Sequence, residues 1–288
     1  MSSRLDPRRS AQSSRLRTIH RKQIERDGWP DLASFDPSRH SLALRRHGAL
    51  AWHRRACEEY ESIHEFTALA HALTRARAPV ELCGALARLI TDEVRHAELA
   101  SQLALALCPE EADGALSEFR APALPYPPAP DGDDAIRAWA ADALLCSCCI
   151  GETLSRPLFE AVAVLSTEPC VEATAQQILR DEHLHATFGW EALEHLFREL
   201  DEAARAWLQH RLAYRLAGFE STCRSGLSVE ELAGTEVLIE RGEPNLGTLT
   251  PRQYATIFYA TLETEILPRF TALGLDAQRA WRERALVR

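Results

Sequence analysis

The chain is predicted to be all-α. Helical periodicity in Ala, Leu, Arg and Glu dominates the sequence, strand signals are scarce, and Pro79 and Thr250-Pro251 stand where helices would open. The first long helix is expected from about Pro37 to Thr74, ended by the turn "RARAPVE", with the second running from Pro79 to about Leu107. Residues 108 to 134 contain Pro109, Pro122, Pro125, Pro127, Pro128 and Pro130, too many for helix and too long a stretch for an ordinary connection. A third helix is expected from about Asp134 to Leu165 and a fourth, after "STEP", to about Leu200. Two further patterns, "DEAARAWLQHRLAYRLAGF" and "TPRQYATIFYATLETEILPRF", add C-terminal helices.

A helix of about 30 residues is roughly 45 Å long, and about 25 extended residues reach roughly 80 Å. The Pro-rich segment can therefore carry the chain back along the full height of a bundle, which sets helix three parallel to helix two. The expected organisation is a basic N-terminal arm (1–36), a four-helix bundle with one long crossover (37–200) and a C-terminal helical extension packed on it (201–288).

The chain has 288 residues, 46% of them hydrophobic, which is ample for a core. No apolar run approaches the roughly 20 residues of a membrane span, and the Arg-rich N-terminus has no apolar stretch of a secretory signal, so a cytoplasmic protein without a membrane partner is expected. Residues 1–55 carry 13 basic and 5 acidic side chains, against 20 and 37 in the remainder. Such an arm lacks interleaved aromatics and a recognised binding module, so a flexible or docking role is expected in preference to nucleic-acid binding. The eight cysteines read as reduced thiols, and "CSCC" at 146–149 has no second pair at zinc-site spacing. They are taken as small core residues, with Cys148 one turn before Glu152.

Alternating steps of three and four trace the face that each helix turns inward. In helix two they pass through Leu82, Leu86, Leu89, Glu93, His96, Ala100, Leu103 and Leu107, and in helix four through Val171, Ala175, Ile178, Glu182, His185, Gly189, Ala192 and Leu196. Helix one gives Trp52, Ala56, Glu59, Ile63, Phe66, Ala70 and Leu73, and helix three Ala138, Ala141, Leu145, Cys148, Glu152, Ser155, Phe159 and Val162. Two faces thus hold one Glu-x-x-His each and two hold a single Glu. The third Glu-x-x-His, Glu61 and His64, misses the stripe of its helix and is expected at the rim or in solvent.

Four carboxylates meeting in the interior would repel one another and take up protons. Two divalent cations neutralise them, with two imidazoles completing the shells, so Glu59, Glu93, His96, Glu152, Glu182 and His185 are the candidate metal ligands. No catalytic side chain beyond these six is expected. Asp92 and Asp181 each precede a candidate ligand by one residue, and each is expected to support the imidazole of the opposite hairpin, fixing its tautomer and raising its basicity.

With "EYESIHEF", "TDEVRHAELA" and "CIGETL", these residues resemble the ferritin-like di-iron carboxylate superfamily, most of all a group of bacterial ferritin-like proteins of unassigned activity. The superfamily's ligand pattern is one Glu from each of two helices and Glu-x-x-His from each of the others. The resemblance covers about residues 40–200 and implies two Fe ions, with a Mn/Fe pair the alternative. The one Cys-x-x-Cys, Cys146 and Cys149, lacks the second pair that a rubredoxin iron needs. Ala100 stands where a reductase small subunit has its radical tyrosine, and Ile178 where some N-oxygenases have another histidine. The expected function is O2-dependent oxidation or oxygenation of a small organic substrate, with an electron-donor protein as a further partner. The alternatives are a ferroxidase or iron-binding protein without organic substrate, and a structural metal site. A pocket open to the metals and closed by the helix around Tyr254–Leu267 would favour the first.

Overall fold

The computed structural model describes residues 14–26, 28–117, 127–225, 227 and 244–286; the Arg-rich stretch at 1–13 and the middle of the Pro-rich segment lie outside them. The described residues are helical, with no strand among them. No helix of the described residues is long and apolar enough to cross a membrane.

Helix α1 spans Ser14–Ile24. The first long helix, α2, spans Leu42–Arg75, opened by the Ser41 hydroxyl, which accepts from the Leu44 N–H at 3.2 Å. The expected start near Pro37 is corrected for a local reason. Pro37–Arg39 form a 3-10 turn capped by Asp36, and the extended backbone at His40 lets its ring stack on Phe35 and reach Glu168 at 2.8 Å. Arg77, left-handed at φ 58°, turns the chain before Pro79, and α3 follows over Val80–Leu107.

The third long segment is one rod of three parts: α4 (Asp133–Ala143), a π-helical stretch (Leu144–Glu152) and α5 (Thr153–Leu165). The wider π turn ends at Glu152, and such turns re-aim the side chains near them. Helix α6 spans Pro169–Glu199, with Pro169 in the first turn, where its missing N–H costs nothing.

Cross-helix pairs fix the directions. Arg45 contacts the end of α3 at the Leu107 carbonyl while Glu59 meets Glu93, so α2 and α3 run antiparallel. Glu65 meets Ser147 and Arg75 meets Asp131, so α2 is also antiparallel to the third segment, which therefore runs parallel to α3. The pairs His96 with Asp181 and His185 with Asp92 set α6 antiparallel to α3.

Two apolar clusters fill the interior, one around Phe66, Leu73, Leu86, Leu145 and Leu193, the other around Trp52, Leu103, Phe159, Val171 and Ile178. All eight stripe residues of α6 are buried. Along α2, α3 and α6 the polar stripe residues fall between the two clusters, and Glu152 falls near their boundary on the third segment, giving a polar layer between two apolar ones.

Gly189 belongs to the close approach of α6 to the π stretch. A Cβ there would lie 2.7 Å from Cys148 Cβ and 2.8 Å from its carbonyl carbon. Gly189→Ala is expected to lower the unfolding free energy by about 1–3 kcal/mol in urea melts, because rigid backbone must move. Gly84→Ala is the matched control: nothing lies within 4 Å of its added methyl, and a gain of about 0.5–1 kcal/mol is expected.

Helix α7 (Glu202–Cys223) buries Leu208, Leu212 and Leu216 in the first cluster, and Arg211 and Arg215 clamp Asp142 of α4. Helix α8 (Pro251–Thr261) opens on a Thr250–Gln253 capping box and passes through a second π stretch, Leu262–Ile266, into α9 (Leu267–Leu273). Gly274, left-handed at φ 104°, ends α9, and α10 spans Ala277–Glu283. Phe258, Ile266 and Phe270 join the same cluster as α7. The strap before α8 lies on α2: Trp52 Nε1 donates to the Leu246 carbonyl at 2.9 Å, and at Gly247 the indole leaves no room for a Cβ.

Candidate metal centre

All six candidate ligands converge in the polar layer. Ligand atoms of Glu59, Glu93 and His96 lie within 4.8 Å of one another, as do those of Glu93, Glu152 and His185. Glu93 is common to both groups. Its Oε1 lies 3.1 Å from His185 Nδ1 and 4.0 Å from His96 Nδ1. Glu182 closes the remaining side, with Oε1 at 3.8 Å from His96 Nδ1. Both rings are fully buried, their centroids 5.5 Å apart, and Phe66 sets its edge against His185.

The two imidazoles face the carboxylate layer through Nδ1 and the aspartates through Nε2. His96 Nε2 is 3.3 Å from Asp181 Oδ2, and His185 Nε2 is 3.6 Å from Asp92 Oδ2. Each aspartate thus lies against the imidazole of the other hairpin. Glu61 and His64 stay outside the centre: His64 is exposed, and Glu61 is half-buried in the wall of a neighbouring cavity.

Electrostatics make the layer costly on its own. Burial, then the charge of Glu59, pushes the Glu93 carboxyl well above the usual carboxylate range, and burial with Glu152 does the same to Glu182. Burial also works against a charged ring at His96, yet the carboxylates of Asp181 and Glu59 outweigh it and raise the imidazole to about 9. His185 is raised well above its ordinary value, with Asp92, Glu152 and Glu93 overcoming burial. The layer therefore attracts positive charge, and protons take that place when nothing else does.

Four buried atoms here have no hydrogen-bond partner: Glu93 Oε2, Glu182 Oε2, His96 Nδ1 and His185 Nε2. Three of them belong to the inner layer and His185 Nε2 to the side facing Asp92. Unsatisfied buried acceptors are expensive. Carboxylate oxygens and imidazole nitrogens are the donor set of first-row divalent cations, so the residues present fit such a pair.

Behind the imidazoles lies a seal of arginines that sequence reasoning missed. Arg95, 1% exposed, places Nη1 at 2.6 Å from both Asp92 and Asp181, and its Nε donates to the Ile24 carbonyl at 2.8 Å. Arg26, just after α1, reaches Asp181 at 2.5 Å and Asp92 at 3.1 Å. Arg88 chelates Asp92 from the outside at 2.8 and 2.9 Å. Burial opposes ionisation of the two aspartates, but their imidazole and arginine partners hold both carboxyls below the ordinary value. The described part of the arm, with α1 also paired to α3 through His20 and Glu98, is docked.

On the other side is a cavity of about 770 Å³, walled by α2, the π stretch, α5, α7 and the strap. Glu59 and Glu152 stand in its wall, beside Phe66, Leu158 and Phe159, and Tyr254 of α8 helps to close it. Of the small stripe residues, Ser155 lines this space, Ala100 is packed in the second cluster and Gly189 is pressed against Cys148. Cys148 and Cys149 are buried, and burial drives both thiols well above their usual range, as unreactive core residues require. Comparison of the chain with family models, with curated proteins and with solved structures returned no match.

Proposed function

We propose that the polar layer holds two divalent first-row cations, iron by the sequence resemblance, within a ferritin-like bundle, and that the chain oxidises a small organic molecule with O2. The observation that carries this reading is the asymmetry of access. A cavity of small-molecule size meets the centre at Glu59 and Glu152, whereas the imidazole side is closed by Arg26, Arg88 and Arg95. Cavities of roughly 300–1,000 Å³ suit small organic ligands.

A bound iron pair would supply redox equivalents and Lewis acidity. The chain's own residues do the rest. Glu93, common to both groups, would serve as a ligand in each; Glu59 and Glu152 present the edge that a substrate would reach; Asp92 and Asp181 orient the imidazoles. Phe66, Leu158 and Phe159 give the cavity an apolar flank beside that edge. Insertion of one oxygen atom leaves the other to depart as water, taking two electrons and two protons, which is the role for an electron-donor protein.

The test is anaerobic titration of the full chain with Fe(II), followed by admission of O2. Two iron ions per chain and a new visible absorption band appearing only with O2 are expected. Iron uptake far above two per chain, with assembly into a shell, would support the ferroxidase alternative instead. Failure to bind iron at all would remove the proposal.

A further inference from the structure

The charged groups of the cavity are not equivalent. Glu59 and Glu152 belong to the candidate centre. Arg215 is fully engaged, with Nε and Nη2 on the two oxygens of Asp142 at 3.1 and 2.6 Å. Glu65 accepts from the Ser147 hydroxyl, and burial pushes its carboxyl up to about 7. Arg55 is different. Its Nη1 donates to the Gly247 carbonyl at 2.7 Å, its guanidinium lies 4.7 Å from the Trp52 ring and 5.9 Å from Phe159, and no carboxylate among the described residues comes within ion-pair distance.

A guanidinium carries five N–H donors, and the described residues accept from one of them. Burial lowers Arg55 to about 10, which leaves it charged at neutral pH. A charge held among aromatic rings and short of partners is stabilised by an anion, and Arg is the side chain suited to bidentate binding of a carboxylate. Position adds a second argument. Arg55 lies one helical turn before Glu59 on α2, roughly 6 Å along the axis, so a head group there leaves the rest of a ligand directed past the metal edge.

We propose that the cavity binds an amphipathic organic monocarboxylate, with its head group on Arg55 and its apolar body along Phe159, Leu158 and Phe66 beside Glu59 and Glu152. This deepens the function proposed above as to substrate class, but the binding itself needs no metal. Glu58 and Glu59 act on the Arg55 guanidinium through their charge without pairing with it, and Glu58 and Glu61 stand on the same wall.

The experiment is calorimetric titration of the full-length, metal-free chain with three probes of equal length: decanoate, decanol and decylamine. Decanoate is expected to bind at least about tenfold more tightly than decanol, the scale of one charge-assisted hydrogen-bonded pair. Arg55→Gln is expected to erase that difference while leaving decanol affinity unchanged, and Arg55→Lys to retain part of it. Comparison of the three probes on the parent chain stands without any variant. Equal affinity for decanoate and decanol, or tightest binding of decylamine, overturns the anion site. The iron titration separates the two proposals: normal iron loading without selectivity for decanoate sinks only this one, whereas decanoate selectivity in a chain that binds no iron sinks only the other.

Discussion

Replacing Glu93 by alanine is expected to abolish paired metal binding. Glu93 is the carboxylate common to both groups of ligand atoms, so its loss removes a ligand from each half at once. The parent chain, with metal at about a thousand times its dissociation constant, should gain roughly 4 kcal/mol of unfolding free energy by mass action for each ion bound, about 8 kcal/mol for two. The variant should gain almost none, and its metal content after desalting should fall from two per chain to below one. Glu182→Ala is the informative contrast, because both groups survive it, and at least one metal should be retained. Thermal melts with and without metal, together with metal analysis, measure both effects. Two metals per chain in the Glu93 variant would overturn the ligand assignment.

Arg95→Met is expected to cost about 3–5 kcal/mol in urea unfolding, the magnitude seen when one partner of a buried ion pair is removed. Its guanidinium is the one group placed at 2.6 Å from both aspartates, and Asp92 and Asp181 are 0% and 4% exposed. Arg26 and Arg88 remain but come from partly exposed positions, so they compensate incompletely. Combining Arg95→Met with Asp92→Asn should restore part of the loss, since it is the stranded carboxylate that is costly. A second readout separates this from a mere packing defect. Loosened aspartates no longer hold the imidazoles, so metal affinity should fall about 10–100-fold even under conditions where the variant is folded.

The inward faces were legible because a Glu or His in an apolar stripe is a strong departure from the surrounding periodicity. Glu93, His96, Glu182 and His185 break runs of leucine and alanine at helical spacing, and Glu59 and Glu152 do so on the other two segments. Other features left no such trace. The π stretch lies in Leu144–Glu152, where Leu144, Leu145, Cys146, Cys148, Cys149 and Ile150 run almost unbroken, so no period distinguishes it from an α-helix. Arg95 sits inside "DEVRH", but in a chain whose basic residues are almost all arginine nothing in one sequence marks it as interior. Helix α1 lacks an acidic first turn and takes its definition from tertiary contacts at Ile24 and His20. The cavity is a product of how α5, α7 and the strap meet, and Arg55, off the stripe of α2, acquires its character only from that meeting.

The order in which a ribosome delivers the chain gives the arginine seal a temporal meaning. Arg26 precedes its partner Asp181 by 155 residues, so the contact can close only after α2, α3 and the third segment have been made. Glu182 and His185 follow Asp181 within four residues, so the candidate ligands of α6 and the arginine cover of the imidazoles become available together. Any ion reaching the finished molecule would come from the opposite side, where Glu59 and Glu152 border the cavity.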